Sequence, residues 1–429
     1  MIDIARHALD KAKNAGADKV SCSVQQTRKD EFNVEANKFS LLRTLFDDEL
    51  NLKVIIGGRK GTISINKLDM ASVEAAVDEC MAMAASATPD EAEDIAPLVE
   101  NKKFSRNIGG ADMEKLFART QEFIQHVKDA YPQVSVDMQA VFISEKSVYL
   151  NSNGVEFHDE GECYYIQPMF GAKEGEASSS FNFYGAMVTD LDTPFMDWGM
   201  LRTLIEDAPK SIKTRMVDDK YVGKIIMTPA CDDMVWYTLL WNFLDASSLI
   251  SGTSRWKDAL DTQVADKKLT MRAVPLHPDI VSAERYTDDG FESKDFDFIK
   301  DGVLKSFALP LYAANKTGKP RAENTAFYNL EIEAGDVSLA DMIKSVDKGI
   351  LVNRFSGASP GPSGDISGVA KNSFLIENGK ITDAISETMI SFNIVDILQN
   401  IPAISKERCK NGSSILPWFC FDGVTVSGK

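Results

Sequence analysis

Apolar residues Ile2, Ile4, Ala5, Ala8, Leu9 and Ala12 recur at helical spacing ahead of Asn14-Ala15-Gly16, so the chain predicts an amphipathic helix with a stop behind it. The period then changes. SCSVQQTR, EFNVEANKF, LLRTLF and ELNLKVIIGG are short β-type runs separated by charged residues that read as turns. Gly61–Ile65 alternates cleanly before a second helical pattern over 67–85. Residues 86–108 are acidic, proline-bearing and without periodicity, which predicts a linker or long surface connection.

A third helical pattern, over 111–130, carries Leu116, Phe117, Thr120, Phe123, Ile124 and Val127 on one side. Behind it NSNG at 151–154 predicts a hairpin joining VYL to VEFHDE. The order helix, then meander, thus occurs twice. A further helix near 200–214 and a strand at Gly223–Met227 open a second half, where Asp301-Gly302 and Asn378-Gly379 sit between apolar runs and predict two more hairpins. Ser356–Gly368, rich in Gly, Ser and Pro, lacks the Gly-Lys-Ser/Thr ending of a phosphate loop and reads as a flexible surface loop. The class is α+β: two repeated helix-plus-antiparallel-meander subdomains, then a β-rich C-terminal domain. The expected units are 1–108, 109–216 and 217–429.

Composition narrows the function classes. The 429 residues carry a formal charge of −17, and the longest basic runs, such as Lys102-Lys103, are two residues long, so direct binding to nucleic acid is not expected. The first residues carry charges every few positions, and nowhere does an apolar run reach the roughly twenty residues of a membrane span. A cytoplasmic protein without membrane contact is the expectation. Six cysteines without C-x-x-C spacing suggest neither a disulfide framework nor a zinc ribbon.

Candidate chemistry is sparse. The four histidines, His7, His126, His158 and His277, are too far apart in sequence for two to share a helix face. His158, alternating with apolar positions in VEFHDE, is a candidate to face a cleft. Asp288-Asp289 precede Gly290 and read as a turn. The most unusual stretch is MVWYTLLWNFLDASSLISGTSRW at 234–256. On a helical wheel Trp236, Tyr237, Leu239, Leu240, Trp241, Phe243 and Leu244 cover most of the circumference, whereas Thr238, Asn242 and Asp245 gather on a narrow side. Asp232 and Asp233 fall in the first turn, where they suit the helix dipole. Such a helix is either a core element whose polar stripe is satisfied by neighbours or one whose stripe lines a cleft.

Several segments, in order and spacing, resemble the TldD/PmbA family, whose older descriptions call its members modulators of DNA gyrase. They are NSNGVEFHDEG (151–161), GTS (252–254), TDDGFESKDFDFIKDGVLKSFAL (287–309), YNLEIEAGD (328–336), KGILVNRFSG (348–357), FLIENGKITDAI (374–385) and GVTVSGK (423–429). The resemblance implies a two-subunit zinc metalloprotease that matures peptides and clears unfolded ones. In its catalytic branch a helix just before the GTS carries HExxxH, and both histidines and a C-terminal cysteine hold zinc.

Counting back from Gly252, those positions fall on Tyr237, Thr238 and Asn242. A phenol, a hydroxyl and an amide are poor zinc ligands, and Thr238 cannot act as a base near neutral pH. Cys409 lies within one residue of the cysteine position. The resemblance therefore implies the PmbA/TldE-like branch: a chain without catalytic residues, without its own metal or cofactor, whose zinc resides in a TldD-like partner. It also implies contact with extended peptide substrate, with Asp245, His158 and Cys409 as cleft-lining candidates, and leaves a homodimer open. Two other readings stand beside it: a stand-alone peptidase using His158, His277 and Cys409, and a protein-binding modulator of gyrase.

Overall fold

A computed structural model describes residues 1–231, 233–357 and 360–428. Helix α1 (Ile2–Asn14) and helix α2 (Met70–Ser86) flank three strands, β1 (Lys19–Glu35), β2 (Lys38–Ile56) and β3 (Arg59–Ile65). The four short strands expected from the sequence are two long ones. Ala36 and Asn37, both at positive φ, make the single tight turn, and Lys29, Asp30, Asp47 and Asp48, which read as turn residues, lie within the β1–β2 ladder. α1 and α2 cover only the base of the hairpin, where Val20, Cys22, Val24, Leu50, Leu52 and Val54 are buried, and leave residues 38–47 of β2 exposed on both faces.

The segment expected as a linker is not wholly irregular: β4 (Lys102–Arg106) pairs in parallel with residues 157–161 of a later strand. Helix α3 (Met113–Ala130) is capped by the Asp112 carboxylate, which accepts from the Lys115 amide. The strands β5 (Val134–Asn151) and β6 (Glu156–Glu174) form the hairpin that NSNG predicts, with Gly154 at φ 98°. β5 also pairs with β1 from Ser21 to Val34, so the two helix-and-meander units share one sheet of order β3-β2-β1-β5-β6-β4. α1 and α2 pack over one end of that sheet, and α3 over the other with Val134, Val136, Met138 and Ala140 beneath it. Each buried Val or Phe there stabilises the fold by about 1.5–3 kcal/mol.

Among the described residues the C-terminal half forms a second mixed sheet of thirteen strands, with Tyr221–Met227 and the long Ile415–Ser427 strand near its centre. The Asp301-Gly302 and Asn378-Gly379 turns close hairpins with both residues at positive φ, as two-residue turns between twisted strands require. The Gly- and Ser-rich loop also closes a hairpin, Ser356 opposite Val369; its Ala358 and Ser359 lie outside the described residues, as does Lys429 of the GVTVSGK ending.

The halves meet through residues 280–292, which cross the first sheet. The Tyr286 ring stacks on Phe157, Arg285 pairs with Asp159 of β6, Lys102 bonds Glu292 at 2.8 Å, and Arg106 donates to the Ile280 carbonyl at 2.6 Å. Farther along, Lys316 reaches Asp90 at 2.7 Å and Asn315 donates to the Ala92 carbonyl, so the irregular stretch after α2 is tied down by the C-terminal half. No described helix is long and apolar enough to cross a membrane.

Candidate functional site

The aromatic stretch is not one helix. An α-helix, Asp233–Leu239, runs into a π turn, Leu240–Leu244, and a second short helix, Ala246–Ile250, follows. Asp245 separates them in extended conformation, its carboxylate accepting from the Ser247 amide at 2.8 Å, so this residue is a cap rather than part of a polar stripe. Of the acidic pair expected in the first turn, Asp232 and the side chain of Asp233 lie outside the described residues. The π turn matters for spacing. On an α-helix two residues five apart point about 140° away from each other, whereas a π turn closes i to i+5 and brings them toward one face. It falls where the resemblance aligns Tyr237 and Asn242.

The side chains sort differently from the helical wheel. Trp236, Leu240, Phe243 and Leu244 are buried, with Trp236 against Phe419 at 4.9 Å between ring centres. Thr238 is also buried, 3.9 Å from the Met234 sulfur, and Asn242 donates its amide to the Thr238 carbonyl at 3.1 Å. The polar pair is satisfied within its own helix. Tyr237 and Trp241 form the open face: their rings stack at 6.2 Å, Tyr328 meets Tyr237 edge-on at 5.4 Å, and Trp241 is 58% exposed.

Beside Tyr237 lies a cavity of about 100 Å³, walled by Trp236, Tyr184, Tyr328 and the Asn411–Ser414 turn. Asn411 shapes that turn by accepting from the amides of Ser413 and Ser414, and Gly412 adopts φ 84° with its Cα packed against the Met187 carbonyl. Behind the wall the Tyr184 hydroxyl lies 3.2 Å from Cys409 Sγ. Burial, then the neighbouring thiol, push the Tyr184 phenol well above its ordinary value, so it stays protonated. Tyr237 thus borders the cavity, whereas Cys409 does not line it and meets the Tyr184 hydroxyl behind its wall. Sequence reasoning missed Tyr184, which no motif marks. The indole N–H of Trp236, on the same wall, is buried with no hydrogen-bond partner among the described residues.

The other candidates are elsewhere. His158 sits on β6 and bonds Glu156 at 2.8 Å, seven residues or roughly 23 Å along the strand from Tyr165, which pairs next to the 186–188 strand. His277 accepts the Asp279 amide at 3.1 Å through Nδ1. Asp288 and Asp289 form the turn that their sequence predicts, Gly290 donating to the Thr287 carbonyl, and Asp289 accepts the Leu311 amide at 2.6 Å.

The donor set does not fit zinc. Tyr237 is engaged in ring stacking, the Asn242 amide in a helix bond and Cys409 with a phenol, and among the described residues no three His, Cys, Asp or Glu side chains converge as metal ligands.

A larger, polar cleft of about 240 Å³ opens between β5, β6 and residues 281–285, lined by Arg106, Asp159, Cys163 and Arg285. Burial raises the Asp159 carboxyl despite the Arg285 guanidinium beside it, and pushes the Cys163 thiol up to about 11, which leaves it unreactive near neutral pH.

Residues 220–428 match the family described as PmbA/TldA metallopeptidase C-terminal domain. The C-terminal half of the chain is thus a domain of the PmbA/TldD type. It is 22% identical to the metalloprotease PmbA of Escherichia coli O157:H7 over 97% of this chain and 93% of that one. Its fold is that of TldE from Thermococcus kodakarensis, with a TM-score of 0.84, 22% identity and full coverage of both chains. A Bacteroides thetaiotaomicron protein described only as a candidate modulator of DNA gyrase superposes with a TM-score of 0.88 at 21% identity, over 100% of this chain and 99% of that one.

Proposed function

We propose that this chain is the TldE/PmbA-like subunit of a two-chain zinc metalloprotease acting on peptides or unfolded proteins, and that it does not itself hold the metal. The observation that carries this reading is the chemistry at the aligned positions: Tyr237 in a ring stack, Thr238 buried beside a methionine, and Asn242 bonded to its own helix. None offers a lone pair of zinc-binding strength or a base for activating water. Zinc held by a TldD-like partner would supply the Lewis acid of such a system. The residues of this chain then have a different task. The half-buried Tyr237 ring and the exposed Trp241 and Tyr328 rings offer an apolar surface to side chains of an extended peptide, and the Asn411–Ser414 turn bounds the space beside them.

Metal analysis tests the assignment directly. Chain purified after exposure to zinc and dialysis is expected to retain only substoichiometric metal, while a TldD-like chain from the same organism retains a full equivalent. One tightly held zinc per molecule of this chain would overturn the reading.

A further inference from the structure

β3 covers the outer edge of β2 only from Leu50 onward, so among the described residues Lys38–Glu49 has β1 on one side and no strand on the other. Residues 38–47 are all exposed, and the segment carries Phe39, Leu41, Leu42, Leu45 and Phe46, with Leu42 64% and Phe46 76% exposed. A long, apolar, unpaired edge is a template for another strand.

The register indicates which strand fits. Asn33 faces Leu41 and Val34 faces Phe39, so Ser40 is an extra, bulged residue. The bulge puts Phe39, Leu42, Thr44 and Phe46 on the face that carries Phe32 and Phe117, and Lys38, Leu41, Arg43, Leu45 and Asp47 on the other. The edge is self-complementary when laid antiparallel against itself about a two-fold at Arg43. Leu41 then opposes Leu45, Leu42 opposes Thr44 and, beyond the bulge, Phe39 opposes Phe46 and Lys38 opposes Asp47. Every pair shares a face, and symmetry makes each occur twice. The two central Arg43 side chains are each neutralised by Glu31 of their own subunit. The turn at Ala36-Asn37 then ends beside Asp48 and Glu49, just short of the Leu50–Ile65 pair where β3 begins, so neither β3 obstructs the other copy.

From this complementarity we infer that the free edge of β2 is the seam of a two-fold homodimer, joining the first sheets of two copies into one continuous sheet. The inference stands independently of the function proposed above.

Sedimentation equilibrium of the full chain at about 0.15 M salt tests it, since long-range repulsion between two copies of charge −17 is largely screened there. The expected mass is twice 47.3 kDa. Lys38→Asp or Asp47→Lys each sets like charges opposite one another at two symmetric places, and should raise the dimer dissociation constant about tenfold or more. The double variant K38D/D47K restores the pairs and should restore the dimer. Phe46→Glu should weaken it without rescue by either swap. Both swapped side chains are exposed, and circular dichroism checks that each variant keeps its fold. A monomer at all concentrations, or a dimer indifferent to the swaps, overturns the seam. Pairing through this edge only when a TldD-like chain is added overturns the choice of a second copy as its occupant.

Discussion

Tyr286 is the point at which the C-terminal half grips the first sheet, and its removal has a calculable consequence. Its ring centre lies 5.3 Å from Phe157, 6.2 Å from Tyr149 and 6.4 Å from Phe104, and its hydroxyl donates to Ser147 Oγ at 2.6 Å. Truncating a buried aromatic to alanine costs about 3–5 kcal/mol, and the low end suits a partly buried ring. Ring–ring contacts add about 0.5–1.5 kcal/mol at most, and the hydroxyl bond about 1 kcal/mol. Tyr286→Ala should therefore lose about 4 kcal/mol, and Tyr286→Phe only about 1 kcal/mol, since it keeps the stack. Urea unfolding followed by circular dichroism reads both from the midpoint, provided the slope is unchanged. An alanine variant within about 1 kcal/mol of the parent, or a phenylalanine variant as damaged as the alanine one, would refute the ring's role as a clamp.

Three further outcomes follow from particular geometry. Gly412→Ala should destabilise by about 3 kcal/mol or more, because its φ of 84° disfavours a side chain and a Cβ would lie 2.1 Å from the Met187 carbonyl oxygen; thermal unfolding checks this. Alkaline stability should decline. Burial pushes the Cys22 thiol up to about 12 and Cys420 up to about 11 from an ordinary 9.0. The unfolded chain thus releases these protons first, and stability is full below pH 9 and falls as pH rises toward 12. Denaturation midpoints that stay level or rise over that range would contradict it. Tyr237→Phe or Asn242→Ala, assayed in a mixture with a TldD-like chain, should change kcat less than about threefold, since neither group takes part in the chemistry. A loss of several orders of magnitude would place them in the reaction.

What was legible in the sequence depended on which faces are covered. α1, α2 and α3 announced themselves because each buries one stripe against a sheet, and the Asn-Gly and Asp-Gly turns because their backbone tolerates positive φ. The long β1–β2 hairpin was broken into four short strands because residues 38–47 of β2 are exposed on both faces, so no alternation marks them, and charges such as Asp47-Asp48 imitate turns. β4 was hidden for a similar reason: five residues on a parallel edge carry little pattern. At the candidate site, the positions Tyr237, Thr238 and Asn242 could be read from the distance to Gly252. The π turn could not, because periodicity over five residues does not separate it from an α-helix. Nor could the meeting of Cys409 with Tyr184, 225 residues apart, since only tertiary folding joins them. Asp245 was misplaced on the stripe although the Ser247 and Ser248 behind it are compatible with a helix cap.

The central claim, that this chain serves a zinc peptidase without performing the chemistry, is tested most directly by cleavage of an unstructured protein substrate. The substrate is incubated with this chain, with a TldD-like chain from the same organism, and with both, each with and without chelator. Cleavage by the mixture alone, abolished by chelator, is the predicted result. Chelator-sensitive cleavage by this chain on its own would contradict it and return Tyr237, Thr238 and Asn242, or residues beyond them, to the active site.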